Sequence, residues 1–358
     1  MHRAASVLSN APQSGIEPTT ESKIGLSPTI EEGVLGVFDK TGEEPQLWGD
    51  KRYHNLNYHL REKYGEKVSK ISLDAGFTCP NRDGSLASNG CAFCSDRGSG
   101  DFVAAPRESL TEQFRKGQEI MRKKWPGQKH IAHLQAFTNT YAPVATLRKT
   151  YHNALEQPGV VGLAISTRPD CLPEEVLDLL AEINQATYLW VELGLQTIHK
   201  RSSHMLNMHY DYDDFIQALN GLQQRKIETC AHIILGLPGE EEEDMLATAQ
   251  ALSSLPIQGL KIHLLHLMKN TPLADIYARQ PFAFLSQDNY VNLVVNILEI
   301  LPPQMIIHRL TGDSPRDLII GPTWSLRKRQ VLTNIDRELK LRNSWQGKHY
   351  TKLDAVLC

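Results

Sequence analysis

The sequence predicts an α/β fold built on a parallel sheet. From Trp48 onward, short β-branched runs alternate with stretches of helical periodicity, which is typical of βα units. The runs are nearly continuous in apolar residues, as expected of strands covered by helices. Polar, glycine and proline residues follow each run, at the edge of the sheet where such proteins bind ligands. Six units of this kind are compatible with an open doubly wound sheet or with an incomplete barrel.

Six strands are predicted, each followed by a helical stretch. They are Lys70–Ala75, Ile131–Phe137, Val160–Ser166, Thr187–Leu193, Thr229–Leu235 and Gly259–Leu265. The helix predicted over Pro173–Ala186 has a proline in its first turn, a position that proline favours. The helix after the fifth strand begins with the acidic run Glu240–Asp244, which the helix dipole favours.

The composition is that of a globular protein, with 41% apolar and 22% charged residues. No stretch approaches the about 20 apolar residues of a membrane span, and the start has no apolar signal segment, so we expect a cytoplasmic protein without a membrane partner. Residues 1–45 are rich in Ser, Thr, Pro, Gly and Glu and are predicted to be disordered or loosely attached. Residues 321–358 are basic, with 8 Lys and Arg against 3 Asp and Glu.

Three of the 6 cysteines, Cys79, Cys91 and Cys94, are clustered after the first predicted strand. Three thiolates cannot complete a structural zinc site, which takes four protein ligands. They can hold three irons of a [4Fe–4S] cluster and leave the fourth iron open. Zinc completed by a histidine elsewhere, and plain structural thiols, remain open at this point. Cys230 lies in an apolar run and is predicted to be a small buried hydrophobe.

Eight segments resemble the radical S-adenosylmethionine (SAM) superfamily. They are SLDAGFTCPNRDG, CAFCSDRGSGDF, LQAFTNTYAPV, STRPDCLP, YLWVELGLQT, GLPGE, GLKIHLLHLMKNTP and HRLTGDSP. The chain is similar to the group related to the Elongator catalytic subunit, and most of all to the bacterial YhcC/YtqA-type proteins. The Gram-positive members of that type are identified with the wobble-uridine tRNA-modifying enzyme MnmL. The resemblance runs from about Trp48 to Tyr350 and includes no acetyltransferase domain.

This resemblance implies a partial (β/α)6 barrel of the radical SAM type with N- and C-terminal extensions. The implied domains are an extension over residues 1–45, a radical SAM core over 46–320 and a basic C-terminal extension over 321–358. The implied cofactors are a [4Fe–4S] cluster on Cys79, Cys91 and Cys94, and SAM chelated by the open iron.

The resemblance also assigns SAM contacts to the ends of the strands. Thr138 and Asn139 are assigned to the methionyl amino group of SAM, and Gly236 and Leu237 to its adenine. The residues assigned to its ribose and carboxylate are Ser166, Arg168, Glu192 and Gln196. A structural ion pair between Glu192 and Arg168 is the alternative for those two residues. A helix-capping role is the alternative for Gln196.

Five residues in and after the sixth strand are candidates for catalysis or substrate contact. They are Lys261, His263, His266, His308 and Arg309. Alternation along a strand places Lys261 and His263 on one side of it. A satisfied structural histidine is the alternative for each ring.

The implied function is modification of the tRNA wobble uridine, converting a 5-carboxymethylaminomethyl to a 5-aminomethyl side chain. The implied partners are tRNA and an electron donor such as flavodoxin or ferredoxin. Aromatic and basic residues at Tyr53–Arg61 and the basic C-terminal segment suit RNA, with solvated helix faces as the alternative. A radical SAM enzyme acting on a small molecule such as a porphyrinogen, and a zinc-stabilised RNA-binding module, are the alternative functions.

Overall fold

The computed structural model describes residues 44–98, 100–101, 108–125 and 127–351. Seven parallel strands form one sheet in the order β1-β2-β3-β4-β5-β6-β8. Their bounds are β1 Val68–Leu73, β2 Lys129–Leu134, β3 Val160–Thr167, β4 Tyr188–Gln196, β5 Glu228–Leu235, β6 Gly259–Leu264 and β8 Ile306–Arg309. A short antiparallel pair, β7 Leu267–Met268 with β9 Ile319–Gly321, lies apart from this sheet.

Ten α-helices and two 3₁₀ turns are present in the described ranges. The helices are α1 Leu56–Tyr64, α2 Leu110–Lys124, α3 Val144–Leu155, α4 Glu174–Ala186, α5 Lys200–Met205, α6 Tyr212–Gln224, α7 Glu242–Ser253, α8 Pro272–Arg279, α9 Gln287–Ile300 and α10 Lys328–Leu341. The 3₁₀ turns are Pro169–Cys171 and Thr323–Arg327. Pro173 is the N-cap of α4, one residue outside the predicted position.

All six predicted strands are present, and the fold prediction of a partial barrel is confirmed. The second strand ends at Leu134 rather than at the predicted Phe137, because Phe137 adopts a left-handed backbone with φ of 57°. A seventh parallel strand, β8, pairs with β6 and extends the predicted six-unit barrel. β8 has only four residues, so its sequence carries too short an apolar pattern for prediction.

The two faces of the sheet differ in chemistry because side chains alternate between them. Helices α2, α3, α4, α6, α7, α9 and α10 cover the outer face and form the main apolar core with it. From β4 that core takes Leu189, Val191, Leu193 and Leu195. The intervening residues Trp190 and Glu192 lie on the inner face, where polar side chains are concentrated.

The sheet curls, which turns its inner face into a lumen. Lys70 Nζ on β1 lies 2.8 Å from Glu192 Oε1 on β4. On a flat sheet these strands would be three spacings apart, roughly 14 Å, which is farther than the two side chains reach. The half-barrel therefore brings residues of distant strands together without long loops.

Helix α1 closes the amino-terminal end of the lumen. Leu60 of α1 packs with Val68, Ile131, Trp190 and Cys230 in an apolar cluster separate from the main core. We call this cluster the apolar floor. Cys230 is a buried hydrophobe, as predicted. The polar part of the lumen lies between the apolar floor and the carboxyl ends of the strands.

The basic C-terminal segment is joined to the body of the protein through α10. Val331, Ile335 and Leu339 are buried in the main apolar core, and α10 packs against α9. The opposite side of α10 exposes Arg329 and Arg337. The domain boundary at residue 320 stays a prediction.

The predicted extension over residues 1–45 lies outside the described residues except for Glu44 and Pro45. Within the described ranges, none of the helices combines the length and apolar character needed to cross a membrane.

Candidate active site at the carboxyl ends of the strands

The three clustered cysteines lie in the loop that leads from β1 toward α2. Cys79, Cys91 and Cys94 are partly exposed free thiols. The segment after Cys79 turns back on it, because the amides of Arg82 and Asp83 donate to its carbonyl at 2.8 and 3.1 Å. A second turn closes where the Cys94 amide donates to the Cys91 carbonyl at 2.9 Å. The long gap between the first two cysteines is therefore folded.

Asn81 anchors this loop to the segment before α6. Its side chain is fully buried, and its Nδ2 donates to the Asn207 carbonyl at 2.6 Å and to Cys91 Sγ at 3.4 Å. The Asn207 side chain donates in return to the Gly90 carbonyl at 3.0 Å. A buried amide with these bonds fixes both the loop and one of its thiols.

Arg82 holds the other side of the loop. Its Nη2 donates to the carbonyls of Cys94 and Ser95 at 3.1 and 2.5 Å. Gly90 adopts a φ of +73°, and a Cβ there would lie 2.8 Å from Arg82 Nε. Position 90 therefore needs glycine both for its backbone and for the room it leaves.

The donor set fits an iron–sulfur cluster. In the part of the chain that the structure describes, no three His, Cys, Asp or Glu side chains are placed to hold a single metal ion. A cluster binds each thiolate at a different iron, so its three thiols need not converge on one point. Burial, together with the adjacent Cys94, raises the pKa of Cys91 to about 12. Iron binding must therefore displace protons from this loop.

Arg168 is directed at the cysteine loop. Its Nε and Nη2 donate to the two carboxylate oxygens of Asp170 at 2.9 and 2.7 Å. Its guanidinium lies 4.8 Å from the centre of the Tyr210 ring, and its Nη1 lies 3.9 Å from Cys79 Sγ. The alternative of an ion pair with Glu192 is wrong, because Asp170 is the carboxylate that Arg168 binds. Its contact with SAM stays a prediction.

The loop after β2 packs on the cysteine loop. Phe137 holds the left-handed backbone described above, which costs about 1–3 kcal/mol in a residue other than glycine. A Cβ on Gly98 would lie 3.1 Å from the Phe137 ring, so the two loops are in close contact. The Thr138 amide donates to the Thr78 carbonyl at 3.2 Å. The predicted SAM residue Thr138 is therefore beside the cysteines.

Asn139 is buried and has one free acceptor. Its Nδ2 donates to the carbonyls of Ala136 and Ser166 at 3.1 and 3.0 Å. Its Oδ1 has no partner among the described residues. An unpaired buried acceptor suits an ammonium donor, and the contact with the amino group of SAM stays a prediction.

Glu192 is the centre of the polar layer of the lumen. Its side chain is 0% exposed, and its oxygens accept from five side chains. These are Lys70 (2.8 Å) and Trp190 (3.2 Å) at Oε1, and Lys261 (2.5 Å), His133 (3.0 Å) and Ser166 (3.1 Å) at Oε2. We call Glu192 and these five side chains the polar layer. Because both oxygens are occupied, Glu192 contacts SAM only by giving up one of these bonds, and that contact stays a prediction.

Two lysines supply the positive charge of the polar layer. Burial would raise the pKa of Glu192, but His133, Lys261 and Lys70 hold it well below its usual value. Burial lowers the pKa of His133 to about 3, so near neutral pH that ring is neutral and acts on Glu192 only as a hydrogen-bond donor. Burial also lowers the pKa of Lys261, to about 8, against the opposing pull of Glu192.

Four more histidines line the lumen or its rim. His232 Nε2 lies 3.2 Å from Glu192 Oε2, and the His232 ring lies 5.6 Å from the ring of His263. Each has a buried ring nitrogen without a hydrogen-bond partner among the described residues: His232 Nε2, His263 Nε2, His266 Nε2 and His308 Nδ1. The nitrogens of His263, His266 and His308 are available to a ligand, whereas His232 Nε2 faces the Glu192 carboxylate.

The structure brings the five candidate catalytic residues together. The strand register places Arg309 on β8 next to Lys261 on β6. His308 contacts the edge of the polar layer, with its ring 5.4 Å from that of Trp190. A Cβ on Gly312 would lie 3.3 Å from a ring nitrogen of His263 and 3.1 Å from His266. Their individual roles stay predictions.

Gln196, Gly236 and Leu237 lie at the ends of β4 and β5. Gln196 has a left-handed backbone with φ of 68°. It does not cap the next helix, because the N-cap of α5 is His199, so that alternative is wrong. Gly236 has a φ of +80°, and Leu237 is buried in a second apolar cluster with Tyr210. Their contacts with SAM stay predictions.

Sequence reasoning missed Lys70, His133 and His232. All three lie on the inner face of their strands, on β1, β2 and β5. The sequence does contain a pattern that predicts them: polar residues recur at every second position within these apolar strands, which indicates that one face of the sheet is polar. The strands were instead interpreted as nearly continuous in apolar residues.

The predicted RNA-binding patch at Tyr53–Arg61 does not lie with the site. Tyr53 is only 8% exposed, and α1 seals the apolar floor at the amino-terminal end of the strands. The cysteine loop lies at the opposite end. Contact of this segment with RNA stays a prediction.

Comparison with known proteins agrees with this geometry. Residues 84–252 match the Radical SAM superfamily and residues 257–341 match the Radical_SAM C-terminal domain. YtqA of Bacillus subtilis is 52% identical over 305 residues, covering 85% of this chain and 95% of YtqA. YhcC of Escherichia coli is 34% identical over 281 residues, covering 78% of this chain and 90% of YhcC.

Among solved structures, the archaeal Elp3 of Methanocaldococcus infernus with an N-terminal deletion is similar in fold. The TM-score is 0.57 with 17% sequence identity, and the match covers 76% of this chain and 63% of that one. Matches over most of the chain define a radical SAM enzyme. The chain belongs to the Radical SAM superfamily, in the group that contains YtqA and YhcC. This membership overturns the alternative of a zinc-stabilised RNA-binding module.

Proposed function

We propose that this enzyme modifies the wobble uridine of tRNA and converts its 5-carboxymethylaminomethyl side chain, including that of the 2-thio form, to 5-aminomethyl. The bond between the nitrogen and the carboxymethyl carbon would break, the two carbons would leave as glyoxylate with an oxygen from one water molecule, and SAM would be the two-electron oxidant. The observation that carries the proposal is the cation-rich polar lumen beneath the cysteine loop, which is suited to a polar side chain. Weaker support comes from a relative in Dehalococcoides mccartyi named tRNA uridine(34) acetyltransferase, 26% identical over 186 residues, 50% of this chain and 40% of that protein.

The chain would hold its cofactors at the carboxyl ends of the strands. Cys79, Cys91 and Cys94 would ligate a [4Fe–4S] cluster. Asn139, with its unpaired Oδ1, would accept from the amino group of SAM. When bound, the cluster and SAM together supply an organic radical, which is chemistry of the cofactors rather than of the protein.

The lumen residues would position the substrate and exclude water. Lys261 and Arg309 are adjacent cations at the base and rim of the lumen, and they would orient a polar side chain by charge-assisted hydrogen bonds. The neutral ring of His263 would serve as donor or acceptor near the reacting carbon. The apolar floor keeps solvent from entering through the other end of the half-barrel.

We further propose tRNA and a one-electron donor such as flavodoxin or ferredoxin as partners in the cytoplasm. Arg327 and Arg329 are exposed beside the site and make no ion pair that is seen in the described residues. Such side chains suit phosphate contacts.

The decisive experiment uses anaerobically reconstituted enzyme, SAM, reductant and tRNA bearing 5-carboxymethylaminomethyluridine. Nucleoside analysis should show the 5-aminomethyl product with the wild type and none with Cys94→Ala. If the wild type cleaves SAM and leaves this nucleoside untouched, the tRNA proposal fails and a small-molecule substrate takes its place.

A further inference from the structure

The polar layer contains more positive than negative charge. Lys70 and Lys261 share the single carboxylate of Glu192. The histidines around them are neutral near pH 7, because burial lowers the pKa of His133 to about 3 and that of His232 to about 4. One positive charge is therefore left without a counter-ion at a depth where solvation is poor, and such charges are rarely left unpaired.

The same layer has hydrogen-bonding capacity that the protein does not use. An ammonium group has three donors, and Lys261 makes one hydrogen bond, to Glu192, in the described part of the chain. The ring nitrogens His263 Nε2 and His308 Nδ1 are buried and unpaired in that part as well. A ligand with several acceptor oxygens would satisfy these groups together.

A second excess charge lies at the rim of the lumen. Asp313 faces two cations, with Lys328 Nζ at 2.5 Å and Arg309 Nη2 at 3.6 Å from its Oδ2. The register of β8 against β6 places Arg309 beside Lys261. The unpaired charges of the rim and of the polar layer therefore belong to neighbouring residues.

We infer that Lys261, Lys70 and Arg309 form an anion-binding pocket for a terminal carboxylate. Lys261 lies three residues before the end of β6, about 10 Å below the edge of the sheet. A backbone phosphate is tethered on both sides and does not reach that depth, whereas a carboxylate on a slender side chain does. Gly312 packs closely against two of the lumen histidines, since a Cβ there would lie 3.3 Å from a ring nitrogen of His263 and 3.1 Å from His266.

Two carboxylates are chemically equivalent candidates, that of the substrate and that of SAM. The depth of Lys261 favours the substrate, because SAM would be held at the cysteine loop, beyond the ends of the strands. The inference rests on the proposed function in this respect: a 5-carboxymethylaminomethyl group ends in the carboxylate that the pocket would take. The terminal carboxylate is thus the feature of the substrate that the pocket would select.

The test compares three anticodon stem-loop RNAs that bear 5-carboxymethylaminomethyluridine, its neutral carboxamide, or 5-aminomethyluridine. Their binding to the cluster-loaded enzyme is measured with an uncleavable SAM analogue. The carboxylate should bind about tenfold or more tighter than the carboxamide, as expected for charge-assisted hydrogen bonds. Lys261→Met should abolish this preference. Equal binding of carboxylate and carboxamide by the wild type overturns the pocket, and so does a preference that survives Lys261→Met.

Two further variants keep the test valid if Lys261→Met folds poorly. Gly312→Ala leaves every charge in place and should reduce the carboxylate preference, because the added Cβ displaces the rings of His263 and His266. Glu192→Gln removes the competing carboxylate and should strengthen carboxylate binding, whereas a purely structural role of Glu192 predicts weaker binding or none. Lys116→Met, at an exposed ion pair with Glu108, is the matched control and should leave the preference unchanged.

Two additional experiments distinguish the substrate carboxylate from the SAM carboxylate, and the anion-binding pocket from the proposed function. If Lys261→Met instead removes the preference for SAM over decarboxylated SAM, the pocket binds the cofactor and the substrate assignment is overturned. Binding of N-methylglycine in preference to methylamine, measured by saturation-transfer NMR and lost in Lys261→Met, supports the pocket even if no nucleoside is converted. Conversion of the nucleoside without any carboxylate preference overturns the pocket and leaves the proposed function intact.

Discussion

The carboxylate of Glu192 is the shared partner of the two lysines in the lumen. A buried carboxylate is costly unless it is paired and hydrogen-bonded, and Glu192 meets both conditions with two lysines, a serine, a tryptophan and a histidine. Removing one partner of such a network costs more than the network contributes, because the remaining charges stay buried without compensation. The polar layer is therefore maintained because the loss of any one partner would raise the free energy of the folded state.

Glu192→Leu should lower the free energy of unfolding by about 3–5 kcal/mol, because it leaves the buried ammonium group of Lys261 and the partly buried one of Lys70 unpaired. Urea unfolding of the metal-free protein measures this loss. Glu182→Leu is the matched control, because Glu182 is an exposed residue whose ion pair with Arg148 lies on the surface. The control should change stability by less than about 1 kcal/mol. Equal losses in the two variants would show that the polar layer has no special stability.

The pH dependence of substrate binding should follow Lys261. Burial lowers its pKa to about 8, so the group is charged below that pH and loses its charge above it. A bound carboxylate favours the charged form and moves the transition upward. The preference for carboxylate over carboxamide RNA should therefore be full at pH 7 and fall above about pH 8. Lys261→Arg keeps its charge throughout and should give a flat profile, and a flat wild-type profile would contradict the assignment.

The cysteines should divide into two classes. Cys79→Ala, Cys91→Ala and Cys94→Ala should each lose iron and SAM cleavage after reconstitution, because three thiolates hold the cluster. Cys171→Ala and Cys230→Ala should keep both, since these thiols are buried outside the loop. Iron analysis and the yield of 5′-deoxyadenosine are the measurements. Full activity of Cys94→Ala would contradict the cluster assignment.

At the scale of elements, the cysteine loop is a folded unit rather than a flexible connection. Asn81 joins its two halves to the segment before α6 through bonds to the Asn207 carbonyl and Cys91 Sγ. A loop fixed before the metal arrives loses less conformational entropy when it binds. The long spacing between Cys79 and Cys91 is therefore compatible with stable cluster binding.

Asn81→Ala should release the cluster faster, because it removes both anchoring bonds and leaves the Asn207 carbonyl unpaired. The rate of iron transfer to a ferrous chelator in the reduced protein measures this effect. Asn184→Ala is the matched control, since Asn184 is partly exposed and its side chain donates to the Lys226 carbonyl in a solvent-exposed hydrogen bond. Identical release rates in wild type and Asn81→Ala would mean that the cluster alone organises the loop.

Most of the fold could be predicted at this scale and part of the site could not. The βα alternation predicted six strands because each has a β-branched run long enough to register, whereas β8 is too short. The cysteines were recognisable because their spacing is local. The polar layer was not, because Lys70 and Glu192 are 122 positions apart and meet only when the sheet curls. Curvature is a property of the whole sheet and leaves no local sequence signal.

At the scale of the whole molecule, the two ends of the half-barrel have different roles. The amino-terminal end is closed by α1 and its aromatic neighbours, with Tyr188 packed against His59 and Tyr64. The carboxyl-terminal end carries the cysteine loop, the unpaired histidines and the Asp313 rim. A large substrate must approach from the second end. Basic residues there, rather than basic residues in general, should determine its binding.

The salt dependence of tRNA binding should identify that end. Arg327 and Arg329 are exposed next to Lys328, which bonds to the rim residue Asp313. Replacing both arginines by glutamine should weaken tRNA binding and lower the slope of log K against log salt by about 0.7–0.9 for each lost phosphate contact. The matched control is Arg61→Gln with Lys63→Gln, which removes the same charge from α1 at the closed end.

The control should leave affinity and slope unchanged, and both double variants should still cleave SAM without substrate. Lys328 is kept in both because its bond to Asp313 makes it part of the rim. If the α1 double variant, and not the Arg327 and Arg329 variant, lowers the slope of log K against log salt, tRNA approaches the amino-terminal end. The radical chemistry at the cysteine loop and the bound RNA would then lie on opposite sides of the sheet, and the modification of tRNA by this lumen would be physically impossible.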